Sequence, residues 1–318
     1  MKERYFVTGA TGCIGSWVVK NLVEAGQTVF ALVRGGSLEK LRLIMTEEQL
    51  AQVHIIRGDL LDGALIRRTL TEEKIDRVIH LAAMQMPLCA ADPVRGAQVN
   101  VVGTVEMFEA VKAAGLKSLV YSSSTAVYGN LEEYPGGEFG HDSPHIAHSH
   151  YGVYKIANEW TARVYYEADG ISSIGLRPYV VYGPLRDQGM TSTPTAAMKS
   201  CVKGEPYEIS YGGSFELQYA DDAAKAFIQA AQADFTGAAV FNLGGGNVDM
   251  EEVVRDIEEV CPQMKGKITY VDQQLPFPRH ADADDQLERA IGPVRRTPLK
   301  EGVAESIRIF SEHPTMIE

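Results

Sequence analysis

The chain has few cysteines, no long apolar run and a deficit of basic residues, and each of these absences excludes a class of protein. Its four cysteines are widely spaced and form no Cys-x-x-Cys pair, so reduced thiols are expected rather than disulfides or a zinc site. No apolar run reaches the roughly 18 residues that span a bilayer, and no signal-peptide pattern precedes the first strand. A net charge of -12 disfavours a nucleic-acid partner. We therefore expect a cytoplasmic protein that binds neither nucleic acid nor membrane.

A glycine-rich turn lies between the first predicted strand and the first predicted helix. The pattern consists of a strand, three glycines and a helix closed by a fourth glycine: Tyr5 to Val7, Gly9, Gly12, Gly15 and Gly26. Such a turn brings backbone N–H groups and a helix N-terminus close to a pyrophosphate. The spacing is G-x-x-G-x-x-G, and its place between strand and helix indicates a dinucleotide site.

Strand and helix patterns alternate over more than half of the chain. Further strands are predicted at 28–33, 53–57, 77–81, 118–122 and 171–176, with helical stretches between them, one of which spans about 93–114. Parallel strands joined by helices form a sheet that is covered on both faces. The predicted fold class is α/β, with a Rossmann-type doubly wound parallel sheet.

Two polar positions at strand ends are predicted to contact the dinucleotide, and the first bears on which one is bound. Arg34 stands at the end of the second strand, where a protein specific for NAD usually has an acidic residue for the ribose hydroxyls. An arginine can pair with a 2'-phosphate, so the site leans to NADP, with a solvated Arg34 as the alternative. Asp59 follows the third strand and can accept from the adenine amino group.

Residues that follow the fourth and fifth strands are predicted to line the cofactor crevice. Leu81 to Ala83 are small enough for a backbone to lie against a cofactor, and His80 before them is expected to be a packed strand-end residue rather than a catalyst. Hydroxyls at the carboxyl end of a parallel strand face the crevice where ligands bind. Ser124 can therefore hydrogen-bond a substrate oxygen.

Tyr151 lies four residues before Lys155 in a helical stretch, so the two side chains share a face, one turn apart. A nearby ammonium favours the phenolate and lowers the pKa of a tyrosine from its usual value of about 10. The same spacing occurs by chance in many helices. It therefore gains meaning only from the motifs around it.

In this order, the motifs resemble those of the extended short-chain dehydrogenase/reductases, the NAD-dependent epimerase/dehydratase family. They run from residue 4 to about 246 and comprise the glycine turn, Gly58-Asp59-Leu60, His80-Leu-Ala-Ala83, Asn100-Val-Val-Gly-Thr104, Ser122 to Gly129, Tyr151-x-x-x-Lys155, Leu176-Arg-Pro178, Val181-Tyr-Gly-Pro184, Tyr219-Ala-Asp-Asp222 and Phe241-Asn-Leu-Gly-Gly245. The resemblance implies a dinucleotide-binding domain of residues 1–179 and 216–245. It also implies a smaller C-terminal α/β substrate-binding domain of residues 180–215 and 246–318, and a homodimer formed through the helices at about 93–114 and 150–168.

The resemblance implies a role for each matching residue. Tyr151 is the general acid/base, Lys155 holds the nicotinamide ribose and lowers the pKa of Tyr151, and Ser124 orients the substrate oxygen. The expected NAD(P) contacts are Gly9, Thr11, Gly12, Cys13, Ile14, Gly15, Arg34, Asp59, Leu60, Leu81, Ala82, Ala83, Asn100, Ser122, Tyr151, Lys155, Tyr179 and Val181. The expected substrate contacts are Met84, Gln85, Ser124, Thr125, His150, Met190 and Thr191.

No metal is expected, although four histidines cluster at 141, 145, 148 and 150. They lie in a predicted loop without the fixed spacing of a ligand set, and the chemistry of the family needs no metal.

Departures from the family pattern narrow the reaction. Dehydratases and decarboxylases of the family have an acidic residue after the Ser124 position, where this chain has Thr125 and Ala126. Nucleotide-sugar enzymes tend to have an asparagine and an arginine for the diphosphate, at the positions of Val180 and Phe215. The favoured function is an NAD(P)-dependent oxidoreductase acting at a secondary alcohol or ketone of a small sugar-like substrate. The alternatives are a sugar or nucleotide-sugar epimerase that keeps its NAD bound, and a non-catalytic NAD(P)-sensing protein.

Overall fold

Strands and helices alternate along the chain, as the sequence predicts. The computed structural model describes residues 2–35, 38–277, 279–280 and 285–316. The strands are β1 (Arg4–Thr8), β2 (Thr28–Val33), β3 (Val53–Arg57), β4 (Arg77–His80), β5 (Ser118–Ser122), β6 (Glu138–Phe139), β7 (Ser172–Pro178), β8 (Val180–Tyr182), β9 (Tyr207–Ile209), β10 (Ser214–Tyr219), β11 (Ala238–Leu243), β12 (Asn247–Asp249), β13 (Ile268–Tyr270) and β14 (Arg279–His280).

Helices connect most of these strands. They are α1 (Cys13–Glu24), α2 (Glu47–Leu50), α3 (Gly63–Glu72), α4 (Met86–Ala91), α5 (Pro93–Ala97), α6 (Gly103–Ala113), α7 (His150–Asp169), α8 (Thr193–Lys203), α9 (Ala220–Gln232), α10 (Met250–Val260), α11 (Gln286–Ile291) and α12 (Leu299–Glu312). Among the helices in the described part of the chain, none is long and apolar enough to cross a membrane.

Seven parallel strands form the main sheet, in the order β11-β7-β5-β4-β1-β2-β3. The predicted fold class is thereby confirmed. The predicted bounds of β2, β3 and β5 are those observed, whereas β7 begins one residue later and ends two residues later than predicted. All seven residues of β7 are buried, because helices cover both faces of the sheet.

The strand order reverses beside β1, which pairs with β2 on one side and with β4 on the other. In open parallel sheets ligands bind at the carboxyl ends of the strands at such a switch point. The segments after β1 and β4 therefore meet where a cofactor would lie.

The helix predicted at about 93–114 is divided. A π-helical turn at Gln98–Val102 separates α5 from α6. Asn100 lies in this turn, 1% exposed, and its side chain hydrogen-bonds the backbone of Met84. A π-turn adds a residue to one helical turn, and such turns are frequent near functional sites.

A smaller set of elements lies beyond the main sheet. Strands β12, β10 and β8 form a three-stranded sheet, and β13 pairs with β9. Residues 216–219 fall in the predicted first domain but belong to β10 in this smaller sheet, whereas β11 is the edge strand of the main sheet. The exact domain division remains a prediction.

Candidate active site

The glycine turn after β1 packs too closely for larger residues. Gly9 has a φ of +67°, and the N–H of Gly12 donates to its carbonyl at 2.9 Å. A Cβ on Gly9 would lie 2.7 Å from the backbone of Leu81, and one on Gly15 would lie 2.1 Å from the Gly9 oxygen. These two glycines are therefore required by the packing.

The N-terminus of α1 opens from this turn, with Thr11 before it and Cys13 and Ile14 in its first turn. Gly12 caps the helix without a side-chain hydrogen bond, so the first N–H groups have no side-chain acceptor there. A pyrophosphate fits such a helix end, since it accepts hydrogen bonds and interacts favourably with the helix dipole.

His80 ends β4 as a packed residue, as predicted. It is 3% exposed, and its Nδ1 and Nε2 lie 2.7 Å from Thr8 Oγ1 and 3.2 Å from Thr104 Oγ1. Burial, aided by the charge on Lys155, lowers the pKa of His80 to about 3, so the imidazole is neutral at physiological pH. Thr8 also accepts from the N–H groups of Leu81 and Ala82, which fixes the backbone that leads to Ala83.

Asn100, a predicted cofactor contact, uses its side chain within the protein. Its Oδ1 accepts from the Met84 N–H at 2.7 Å, and its Nδ2 donates to the Met84 carbonyl at 3.0 Å. The Asn100 side chain therefore fixes the backbone of Met84, in the segment after β4.

Arg34, the predicted determinant of dinucleotide choice, and Asp59, the predicted adenine contact, lie on neighbouring strand ends. Arg34 is exposed directly after β2, and among the described residues no carboxylate pairs with it. Asp59 pairs with Arg95 at 3.0 Å and accepts from the Leu61 N–H at 3.0 Å, while Leu60 is buried.

Helix α7 carries Tyr151 and Lys155 in its first two turns. Ser149 caps the helix by accepting from the Gly152 N–H at 3.1 Å. A Cβ on Gly152 would lie 2.1 Å from the Ala126 oxygen, so glycine is needed for the helix to approach the turn after β5. This approach brings Tyr151 into hydrogen-bonding contact with Ser124.

Lys155 lies beneath the tyrosine and is 3% exposed. Its Nζ donates to the Ser122 carbonyl at 2.6 Å and lies 5.5 Å from the centroid of the Tyr151 ring. Burial lowers the pKa of Lys155 to about 8, against smaller opposing effects of Cys89 and Glu159. The structure thus brings the three predicted catalytic residues together.

The electrostatics of Tyr151 differ from the expectation that Lys155 lowers its pKa. Burial raises the pKa of Tyr151, while the hydrogen bond with Ser124 and the positive charge of Arg186 act in the opposite direction. Desolvation disfavours the phenolate more strongly than these groups favour it. In the protein alone Tyr151 is therefore a neutral phenol, ready to donate a proton.

A buried ion pair between β7 and α7 stabilises the position of the helix that carries Tyr151 and Lys155. Arg177, within β7, contacts both carboxylate oxygens of Glu159 on α7, at 2.8 and 2.7 Å, and Ser123 donates to the same carboxylate. The sequence did not identify Glu159, which lies one helical turn beyond Lys155. The pair ties α7 to the residues that precede Ser124.

The predicted substrate contacts fall into two groups. Gln85 Oε1 and Thr191 Oγ1 lie close to the guanidinium of Arg186, which the sequence did not single out. Thr125 instead donates to the Pro178 carbonyl at 3.3 Å, Met190 is 51% exposed, and the His150 ring stacks on Tyr154. Arg186 could have been noticed as the first charged residue after the Val181-Tyr-Gly-Pro184 motif.

Two predicted cofactor contacts are packed into the protein. Tyr179 stacks on Phe139, with ring centroids 5.6 Å apart, and Val181 is buried in β8. The four clustered histidines take separate partners: His145 contacts Arg177, His148 pairs with Glu133, His141 stacks on Phe241 and His150 stacks on Tyr154. In the part of the chain that the structure describes, no group of three metal-ligating side chains occurs.

A parallel sheet with a glycine turn at its switch point, together with a half-buried tyrosine and a buried lysine beside a serine, defines a class of dinucleotide-dependent enzymes. Comparison with known proteins gives the family. The model of the NAD dependent epimerase/dehydratase family matches residues 5–244. The chain belongs to this family, and it is an NAD(P)-dependent enzyme of the extended short-chain dehydrogenase/reductase type.

Individual relatives resemble the chain over almost its whole length. A UDP-glucose 4-epimerase of Mycolicibacterium smegmatis is 29% identical over 321 residues, which covers 96% of this chain and 98% of that protein. A structure of UDP-N-acetylglucosamine 4-epimerase from Methanobrevibacter ruminantium, in complex with UDP-N-acetylmuramic acid, has a TM-score of 0.84 and 26% identity, covering 98% and 99% of the two chains. MoeE5 in complex with UDP-glucose and NAD has a TM-score of 0.79 and 28% identity, covering 97% and 99%.

Proposed function

We propose that the chain is an NAD(P)-dependent oxidoreductase that acts at a secondary alcohol or ketone of a small sugar-like molecule. The observation that carries the proposal is the Tyr151 phenol, hydrogen-bonded to Ser124 and placed over the buried Lys155. Thr125 and Ala126 occupy the positions where eliminating enzymes of the family have acids. Tyr151 is thus the proton donor and acceptor of the site.

Each residue has a distinct part in this chemistry. The glycine turn, Leu81 to Ala83 and Lys155 would hold the cofactor, which supplies the hydride donor or acceptor when bound. Tyr151 Oη gives its proton to the substrate oxygen in reduction and takes it back in oxidation. Ser124 donates to that same oxygen and holds it at the phenol.

The absence of diphosphate ligands at two positions supports a small substrate. Val180 and Phe215 are 6% and 4% exposed, and the Phe215 ring packs edge-on against Tyr211 with centroids 5.2 Å apart. Neither side chain can donate the charge-assisted hydrogen bonds that a diphosphate needs.

A second candidate function is a nucleotide-sugar epimerase with tightly bound NAD, which the UDP-sugar epimerases among the relatives favour. The two functions differ in whether the cofactor leaves during the reaction. Purified protein should contain little nucleotide and should reduce added NAD(P)⁺ when supplied with sugar alcohols or acids. Stoichiometric bound NAD, no net reduction and interconversion of UDP-glucose with UDP-galactose would establish the epimerase instead.

For the cofactor, we propose a preference for NADP, supported by the exposed Arg34 after β2. A charge-assisted bond to the 2'-phosphate contributes about 1.5–3 kcal/mol, so NADP⁺ should bind roughly 10- to 100-fold more tightly than NAD⁺. Arg34→Ala should remove this difference, while Arg42→Ala should leave it unchanged, since Arg42 pairs with Glu47 on the surface. Tighter binding of NAD⁺ by the unmodified protein contradicts the preference.

The arrangement of the chain also supports a substrate-binding part and a homodimer. Helices α8, α10 and α12 and the small sheet would form the substrate domain, with 180–215 and 246–318 as its segments.

Exposed apolar side chains on α5 and α7, including Val94 at 71% and Trp160 at 58%, would form the interface between two copies.

A further inference from the structure

Arg186 follows β8 and lies beside Gln85 and Thr191, two of the predicted substrate contacts. Two residues before it, the Pro184 carbonyl accepts from Trp17 Nε1 at 3.3 Å, so this segment lies against α1, the helix that follows the glycine turn. Burial raises the pKa values of Tyr151, Cys13 and Tyr211, and the positive charge of Arg186 opposes each rise. Arg186 is thus close to the place where the reacting part of a substrate would lie.

Within the described part of the chain, the guanidinium of Arg186 is only partly satisfied. Its Nη2 donates to Thr191 Oγ1 at 3.1 Å, but its buried Nε has no hydrogen-bond partner, and no carboxylate of the described residues pairs with it. The neighbouring Asp187 pairs instead with Lys199 at 2.8 Å and with Lys40 at 3.3 Å. A buried charge-bearing donor without a partner is costly, so this position is suited to an incoming anion.

Other unpaired or polar groups lie around the same guanidinium. A Cβ on Gly189 would be 3.2 Å from Arg186 Nη2 and 3.3 Å from Gln85 Oε1, so both polar ends lie beside Gly189. The Tyr211 side chain is 2% exposed, and its hydroxyl has no hydrogen-bond partner. Amide, phenol and guanidinium groups here offer hydrogen bonds to a polar, negatively charged group.

We propose that Arg186 binds the carboxylate of the substrate, which is a small polyhydroxy acid whose reacting alcohol meets Tyr151. The inference rests on the proposed function and names its substrate class. A carboxylate can accept from Nε and from a terminal guanidinium nitrogen at the same time, whereas a neutral sugar leaves at least part of the charge unpaired.

The local charge favours a carboxylate over a phosphate group. Lys40 and Lys199 are already paired with Asp187, and Lys155 is bonded to the Ser122 carbonyl. Among these described cations, Arg186 is left as a single positive charge without a paired carboxylate, which matches a carboxylate of one negative charge better than a phosphate ester of nearly two.

The test compares acids with their uncharged analogues, by calorimetric binding to protein saturated with NADP⁺. The probes are a panel of aldonates and uronates, the corresponding alditols and aldoses, and UDP-glucose. We expect the unmodified protein to bind at least one acid more tightly than its neutral analogue. Arg186→Met should weaken binding of that acid by about 10- to 100-fold and leave the neutral analogue nearly unchanged.

Arg255→Met is the matched control, because Arg255 is an exposed arginine whose guanidinium pairs with Glu252 and Asp256 on α10. Binding of no acid, equal weakening of acids and neutral analogues, or Arg186-dependent binding of UDP-glucose alone would overturn the proposal. If an acid binds through Arg186 but never reduces the cofactor, the carboxylate site stands and the proposed oxidoreductase function fails.

Discussion

Tyr151 combines two properties that an ordinary helical tyrosine does not share. Its hydroxyl hydrogen-bonds with Ser124, and burial raises its pKa against the opposing charge of Arg186. The phenol is therefore a proton donor whose acidity depends on what occupies the cleft. A substrate carboxylate on Arg186 would weaken the opposing effect of that cation.

Removing the hydroxyl tests this role of Tyr151. Tyr151→Phe should lower kcat by about 10²- to 10⁴-fold, the usual contribution of a positioned acid or base, with cofactor binding nearly unchanged. Tyr166→Phe, on the same helix, should keep full activity and serves as control. Steady-state kinetics and cofactor titration measure both effects, and a Tyr151→Phe enzyme with full activity would remove the phenol from the mechanism.

Lys155 gives a pH dependence of stability. Its folded pKa of about 8 lies below the unfolded value near 10.4, so the folded chain holds this proton less tightly. Below about pH 8 the buried ammonium lowers the free energy of unfolding by its full amount. Between about pH 8 and 10 the free energy of unfolding rises with pH, by at most about 1.4 kcal/mol per pH unit.

Urea denaturation of the cofactor-free protein across this window measures the slope. In Lys155→Met this part of the slope should disappear, because the titrating group is gone. The same rise with pH in both proteins would show that another group is responsible.

The turn between β1 and α1 depends on its glycines through close packing. Gly15→Ala places a Cβ 2.1 Å from the Gly9 oxygen, so the turn must open. We expect a loss of about 1–3 kcal/mol of stability, as for other overpacked positions, together with weaker cofactor binding. Gly140→Ala, where a Cβ would meet nothing within 4 Å, should change neither quantity appreciably. Denaturation and cofactor titration of both variants decide the matter, and unchanged cofactor affinity in Gly15→Ala would contradict this role of the turn.

Sequence patterns predicted the elements better than the contacts between them. The bounds of β2, β3 and β5 follow from short apolar runs with polar or glycine neighbours, which are local properties. The π-turn before α6 could not be predicted, because it accompanies a hydrogen bond between Asn100 and Met84, which are 16 residues apart.

The same limit applies to the site. Tyr151, Lys155 and Ser124 were predicted because motifs place them at known strand and helix ends. The environment of Arg186 was not, since Gln85, Thr191 and Tyr211 come from separate segments of the chain. Neither the unpartnered Nε of Arg186 nor the desolvation of Tyr151 can be seen in a linear sequence.

The whole molecule presents an apolar surface along α7. Val153, Trp160 and Val164 share a helix face and are 51%, 58% and 59% exposed, and Val94 and Val102 on the neighbouring segment are exposed as well. Monomeric proteins rarely expose so many large apolar side chains together. A second copy is the occupant we propose for this surface.

Light scattering should give twice the mass of the 34.8 kDa chain. Trp160→Glu should yield monomers, since a charge in an apolar interface is costly, whereas Val271→Glu, at a 37% exposed position away from these helices, should remain dimeric. A monomeric unmodified protein contradicts the proposed assembly.

Our central proposal is that the hydride removed from the substrate leaves the protein on the released, reduced cofactor. It is tested most directly with a substrate carrying deuterium on the carbon of the reacting alcohol, incubated with excess oxidised cofactor and followed by mass spectrometry. The account predicts deuterium in the released, reduced cofactor and the ketone as product. The Tyr151→Phe protein should give neither labelled cofactor nor ketone. Deuterium retained in an inverted alcohol, with no reduced cofactor released, would contradict the account and identify an epimerase.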